Sequence, residues 1–419
     1  MTRARQASLL VIFVTVFIDL LGFGIVLPLL PRYGRHFDAG PLVLGLLLSS
    51  FSAMQFLFAP LWGRLSDRIG RRPVLMIGLA GSTVCYGLFG VATSLGREGT
   101  LLGLGALVWL FITRIGAGIA GATIPTAQAY IADITSPAER GKGMALIGAA
   151  FGIGFTFGPL LGAAFVSGDP DAPPSPYPGY VAAALSGLAF LSAVFVLPES
   201  LRPESQRAVR RWLDVAALRR AGSQRGLALV LLAIFLTTFC FAQFESTLAL
   251  LTRELGLADR ANFFVFAYVG FVLTLSQGLL VRRLMPRLRE FRMSVAGAVV
   301  MSGGLALIAL AAGARSLWGL YAVLPLAVIG FSALTPSLQS LLSLRTAADE
   351  QGEMLGLGQS MAALARILGP LAGMPLFDIG MTWPYWTAAG LMALGLVLVA
   401  AAGSADRAAA LDDVQPVET

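Results

Sequence analysis

The sequence predicts an all-α membrane protein of twelve transmembrane helices, arranged as two six-helix pseudo-symmetric halves. Three observations predict it. Of 419 residues, 57% are hydrophobic and 13% charged, and the mean hydropathy is +0.79, whereas a soluble domain carries about a quarter charged residues. Apolar runs of about 17 to 25 residues, enough to cross a hydrocarbon core of about 30 Å as helices, recur along nearly the whole chain. Finally, one stretch of the first half of the chain is repeated in the second half.

The runs place spans near 8–32, 43–63, 73–93, 104–133, 142–166 and 179–197, then near 227–250, 261–281, 293–313, 317–343, 353–375 and 383–402. They are too long and continuous for the alternating strands of a barrel. The first run is too long for the apolar core of a secretory signal and lacks a small-residue cleavage site, so it is expected to stay as the first span. Cys85 and Cys240 fall inside spans and read as small buried side chains. The aromatic group Trp383, Tyr385 and Trp386 opens the last span and reads as an interfacial belt.

A shift of 211 residues lays IPTAQAYIADITSPAERGKGMALIGAAFGIGFTFGPLLG, from Ile124, on TPSLQSLLSLRTAADEQGEMLGLGQSMAALARILGPLAG, from Thr335. Pro125 meets Pro336, Gln128 meets Gln339, Glu139 meets Glu350, and GPxxG at 158–162 meets GPxxG at 369–373, with no gap. Six crossings return a chain to its starting side, so a shift of half the chain means two halves of like orientation. The expected organisation is a first half 1–197, a basic linker 198–226, a second half 227–402 and a tail 403–419.

Charge sets the orientation. Twenty-two of the thirty basic residues fall at the termini and even-numbered gaps and six on the opposite side, with Arg114 and Arg366 left inside spans. Positive residues stay in the cytoplasm, so both termini are expected there, in a bacterial inner membrane. Topology and anionic lipid headgroups account for the net charge of +7 without any nucleic acid.

Asp19, Arg114, Glu245 and Arg366 are ionisable and lie well within spans. Each costs about 2.5 to 3.5 kcal/mol at a helix centre on insertion scales, so they are expected to face water or one another. At 1.5 Å per residue the depths of Asp19 and Arg114 differ by only about 5 Å, and those of Glu245 and Arg366 are similarly close. One acid-base pair per half is therefore expected. A carboxylate in a cleft that opens alternately to either side can take a proton on one side and release it on the other. The competing expectation is a permanent ion pair that fixes helix packing.

Between spans two and three lies GRLSDRIGRRP, residues 63–73, with four arginines and one aspartate. Gly63, Asp67, Arg68, Gly70, Arg71 and Arg72 in this loop resemble the loop signature of major facilitator transporters. LGFGIVLPLLP at 21–31 is similar to the first-span motif of twelve-span drug/proton antiporters, and LFITRIGAGIAGAT at 110–123 resembles their fourth-span motif. GAAFGIGFTFGPLLGA at 148–163, with Gly148, Gly152, Gly158, Pro159 and Gly162, resembles their fifth-span antiporter motif.

The resemblance, closest to tetracycline-efflux-type proteins, implies the major facilitator fold. It implies a monomer that exchanges protons for a small-molecule substrate, with the site between the halves. It also implies that Asp67, with Arg68, Arg71 and Asp133, latches the cytoplasmic side near Gly352. Cys85 stands where tetracycline exporters carry an acid, and the ninth span holds none, so an acid-rich site for a metal-bound drug is not implied.

The leading expectation is a proton-coupled exporter of amphipathic or organic compounds. The others are a symporter or facilitator of an endogenous metabolite or organic anion, and a non-transporting sensor or assembly factor. An enzyme is not expected. The chain has one histidine, His36, one lysine, Lys142, no metal-ligand cluster and no GK[ST] phosphate loop, so no cofactor is called for.

Overall fold

The computed structural model describes residues 3–135, 140–169, 172–201, 225–346 and 351–412. Span one is α1 (Arg3–Val26), a 3-10 turn (Leu27–Leu29) and α2 (Leu30–His36). Pro28 and Pro31 lack the N–H that would continue the α ladder; Pro28 lies in the turn and Pro31 in the first turn of α2. Span two is α3 (Pro41–Ile69) and span three α4 (Arg71–Ser94), joined only by Gly70 at φ 107°, a conformation that a side chain would strain.

A small hairpin, Thr100–Leu101 against Leu104–Gly105, turns on Leu102 and Gly103, both left-handed. Span four is α5 (Ala106–Ala120) and α6 (Ile124–Ile134), split beside Gly121 and restarted with Pro125 in the first turn. Spans five and six are α7 (Arg140–Ala163) and α8 (Tyr177–Val196).

The second half opens with α9 (Arg225–Glu254) and α10 (Asp259–Leu275), the latter running into a π turn at Ser276–Val281. Then follow α11 (Arg282–Gly313), broken at Arg289, α12 (Leu317–Leu344), α13 (Gln351–Ile379) and α14 (Trp383–Asp412). Eleven of the twelve spans are long and apolar enough to cross a membrane over their described residues. The other, α7, spans Arg140–Ala163, of which the apolar stretch Gly152–Ala163 is described in full.

Large apolar side chains such as Leu188, Phe195, Val299, Leu310 and Val397 point outward, the surface that lipid covers. Small residues bring the helices together. A Cβ at Gly158 would lie 2.8 Å from the Gly24 Cα of α1, and one at Gly162 2.4 Å from the Phe263 ring of α10. In the repeat, a Cβ at Gly369 would lie 2.7 Å from Ala242 Cβ, and one at Gly373 3.0 Å from Gln243, both in α9. Gly158 thus seats the fifth span of the first half on its first span, Gly369 and Gly373 do the same in the second half, and Gly162 lies against α10; Gly158→Ala would clash with the backbone of α1.

By contacts the chain forms two units, Met1–Arg210 with Leu248–Thr274, and Arg211–Thr247 with Leu275–Thr419. The tip of the α9–α10 hairpin therefore belongs with the first unit.

Candidate functional site

In the first unit α5 carries Arg114, whose side chain is 2% exposed. Its Cζ lies 4.4 Å from the Phe51 ring centroid and 5.8 Å from that of Phe23. The two rings are 4.9 Å apart, and Phe155 meets Phe23 edge-on at 5.8 Å. Among the described residues, Nε and Nη1 of Arg114 have no hydrogen-bond partner and no carboxylate lies within 4.0 Å. A cation over a desolvated ring gains about 2 kcal/mol, less than the several kcal/mol that a buried ion loses in leaving water. Asp19 lies in α1, and its side chain is outside the described residues.

In the second unit Glu245, on α9, is half-buried and Arg366, on α13, is exposed. Each is within electrostatic reach of the other, beyond ion-pair distance. On another face of the same helix, two residues either side of Glu245, Gln243 Nε2 donates to Thr387 Oγ1 at 2.9 Å, and the Thr247 and Tyr385 hydroxyls are 3.2 Å apart. Tyr385 is fully buried there, while Trp383 and Trp386 are exposed. The expected aromatic belt is thus corrected to two tryptophans and one core tyrosine, because the hydroxyl has a partner inside the bundle.

The 63–73 loop is organised around Arg71, 1% exposed. Its guanidinium meets Asp67 Oδ1 at 2.5 Å, Asp133 Oδ2 at 3.1 Å and Ser66 Oγ at 2.6 Å. Asp67 is 43% exposed, and Arg68 is exposed as well. Glu199, which sequence reasoning passed over, accepts the backbone N–H groups of Arg71 and Arg72 at 2.9 and 3.1 Å. A carboxylate on the first free N–H groups of α4 is favourable because of the helix dipole. The clue to it is its place in Pro-Glu-Ser directly after a span. Gly63 has open space around it, and the side chains near Gly352 are outside the described residues.

Of the fifth-span set, Gly152 approaches Thr274 of α10, and Pro159 lies beside Gly24. Gly148 lies in α7, and its contacts are outside the described residues.

A second cluster was not anticipated. Arg32, 3% exposed, donates from Nη1 to Asp259 Oδ1 at 2.7 Å, from Nε to Ala249 O at 3.1 Å and from Nη2 to Thr252 Oγ1 at 3.1 Å. Thr252 Oγ1 donates to Asn262 Oδ1 at 2.7 Å, and Asn262 Nδ2 to Pro28 O at 3.3 Å. This network ties the end of span one to the α9–α10 tip and explains why residues 248–274 group with the first unit.

Among the described residues, eleven long apolar helices, close-packed glycines and charge clusters at helix ends define a polytopic membrane protein. Residues 12–370 match the model of the Major Facilitator Superfamily, and the chain belongs to that family. It is 33% identical over 398 residues to the class E tetracycline resistance protein of Escherichia coli, with 92% of each chain covered. It is 26% identical to multidrug resistance protein 2 of Bacillus subtilis, with 94% of each covered. The crystal structure of the human organic anion transporter MFSD10 superposes with a TM-score of 0.69 at 27% identity, covering 95% of this chain and all of that one.

Proposed function

We propose that the chain is a proton-coupled antiporter that exports drugs or other amphipathic organic compounds by alternating access. One observation carries the reading: Glu245 and Arg366 hold opposite charges mid-span, near enough to influence each other and too far apart to be a closed ion pair. A locked structural pair would be joined by hydrogen bonds, because partners left apart keep their desolvation cost. An accessible carboxylate beside a cation can instead exchange a proton for a substrate, the cation setting how firmly the proton is held. The tetracycline and multidrug resistance proteins among its relatives support export of small organic molecules.

In this reading Asp19 is the corresponding acid of the first half, and the 63–73 cluster gates the cytoplasmic side. The protein works as a monomer, in a bacterial inner membrane with both termini in the cytoplasm, moving protons and a small molecule across lipid.

The test is proton-driven uptake of tetracycline and of ethidium into inverted vesicles carrying the full-length protein. Glu245→Gln is expected to remove accumulation driven by a pH gradient while leaving gradient-free equilibration within about twofold. Gradient-driven accumulation at wild-type level in both Glu245→Gln and Asp19→Asn would sink the proposal.

A further inference from the structure

Where α10 runs into α11 the chain reads SQGLLVRRLMPRLREFR, residues 276–292, with five arginines and one glutamate. The spacing gives this segment two faces. Val281, Leu284, Met285 and Leu288 recur at helical intervals and pack with Met293 and Ala333. Leu275, Leu279, Arg283 and Arg287 follow one another four residues apart on the opposite face, and all four are exposed. The apolar spans on either side end at Met285 and begin at Arg287, so a stripe of leucines ends in two cations at the membrane edge.

Glu290, the only acidic residue between Arg260 and Ala348, accepts the Ser340 hydroxyl of α12 at 3.3 Å. Among the described residues, Arg283 and Arg287 make no ion pair. The loop at 63–73 differs: Arg64 donates to Pro60 O, Arg71 to Asp133 and Ser66, and Arg72 to Val194 O. Orientation in the membrane requires positive charge and is indifferent to its pairing. The first half meets that requirement with arginines that its own acceptors engage, whereas the second leaves two like charges four residues apart, which weakens a helix unless an anion bridges them.

We propose that Arg283 and Arg287 hold the phosphate of an anionic phospholipid, one of whose acyl chains lies along Leu275 and Leu279. Helix residues four apart have Cβ atoms about 5 to 6 Å from each other, close enough for two guanidinium groups to converge on one phosphate in charge-assisted bonds. The leucines decide for a lipid over a free phosphate, because they continue the same stripe at the depth of the acyl chains. Two cations favour a headgroup of net negative charge over a zwitterionic one. The inference adds a lipid site to the exporter reading and does not depend on proton coupling.

Equilibrium binding to the purified full-length protein in neutral detergent micelles tests it. The probes are radiolabelled dioleoylphosphatidylglycerol and dioleoylphosphatidylcholine, which share acyl chains and differ in net charge. Each arginine near an anionic headgroup is worth about fivefold in affinity. Wild type is expected to bind phosphatidylglycerol saturably and about tenfold or more tighter than phosphatidylcholine. Arg283→Gln with Arg287→Gln is expected to weaken phosphatidylglycerol about twentyfold, whereas Arg283→Lys with Arg287→Lys keeps the charge and stays within about threefold of wild type. Arg315→Gln, just past the far end of α11, is expected to alter binding less than about twofold, and Leu279→Ser to weaken both lipids alike.

Equal binding of the two lipids by wild type overturns the proposal, as does a preference that survives the glutamine pair or that Arg315→Gln reduces as far. If the glutamine and lysine pairs both lose binding, the arginines act through the fold and the proposal falls. Displacement of the lipid by an equal concentration of glycerol 3-phosphate, or an unchanged affinity in Leu279→Ser, would make the site one for a soluble anion and overturn it too. Because no proton moves in this assay, an unaltered Glu245→Gln transporter would leave its outcome standing, and the reverse holds too.

Discussion

Arg32 and Arg114 lie in one unit and are buried to nearly the same extent, 3% and 2% exposed, yet the fold treats them oppositely. Every nitrogen of the Arg32 guanidinium donates: to a carbonyl, a hydroxyl and a carboxylate. Arg114 has two nitrogens without a partner among the described residues, and two phenyl rings. A buried charge survives in a protein when its hydrogen-bonding capacity is met, so Arg32 reads as a structural tie. Arg114 reads as a group retained at a cost to stability, which is where a ligand or a moving proton belongs.

The largest effect that sharpens this contrast is expected at Asp259. Asp259→Asn keeps the shape of the side chain and removes its charge, leaving Arg32 buried with only neutral acceptors. Breaking a buried pair from one side costs about 3 to 5 kcal/mol; Asp259 is 21% exposed, and water entering beside it brings the expected loss to the lower end, about 3 kcal/mol. Denaturation of the purified protein, followed by tryptophan fluorescence, measures it. A loss below about 1 kcal/mol would erase the distinction between the two arginines.

A smaller effect tests whether the tie is a network or a single pair. Thr252 Oγ1 accepts from Arg32 and donates to Asn262, and all three side chains are buried. Thr252→Val keeps the volume and removes both bonds, with an expected loss of about 1 to 2 kcal/mol in the same measurement. Combined with Asp259→Asn it should cost less than the two losses added, since groups in one network are coupled.

The two arginines also show what the sequence could and could not tell. The spans were legible because length and apolarity decide them, and the doubled GPxxG was legible because it recurs without a gap at 158–162 and 369–373. Arg32 was not, because the apolar run ends there and an arginine at a run's end reads as a loop residue. The helix in fact continues to His36 and buries residues 30–34, with acceptors lying 217 to 227 residues away along the chain. Arg114 was legible as a mid-span charge, but its place over the Phe51 and Phe23 rings was not, since a depth in the membrane cannot show which side chains meet. Glu199 was hidden for the same reason: its partners are backbone N–H groups, which no side-chain pattern records.

The smallest expected change is at Arg114 itself. Replacing a buried ion by an apolar side chain of similar length is neutral or stabilising when the ion is poorly compensated, and methionine fits irregular space. Arg114→Met forfeits the stacking on Phe51 and Phe23, about 2 kcal/mol, and escapes a desolvation cost of several kcal/mol. The expected result is a stability equal to wild type or about 1 kcal/mol above it, in the measurement that finds Asp259→Asn lower by about 3 kcal/mol. Arg32→Met, with Asp259 left unpaired, should fall well below both. If Arg114→Met instead loses 2 kcal/mol or more, the guanidinium is held by the fold after all, and the two arginines do the same work.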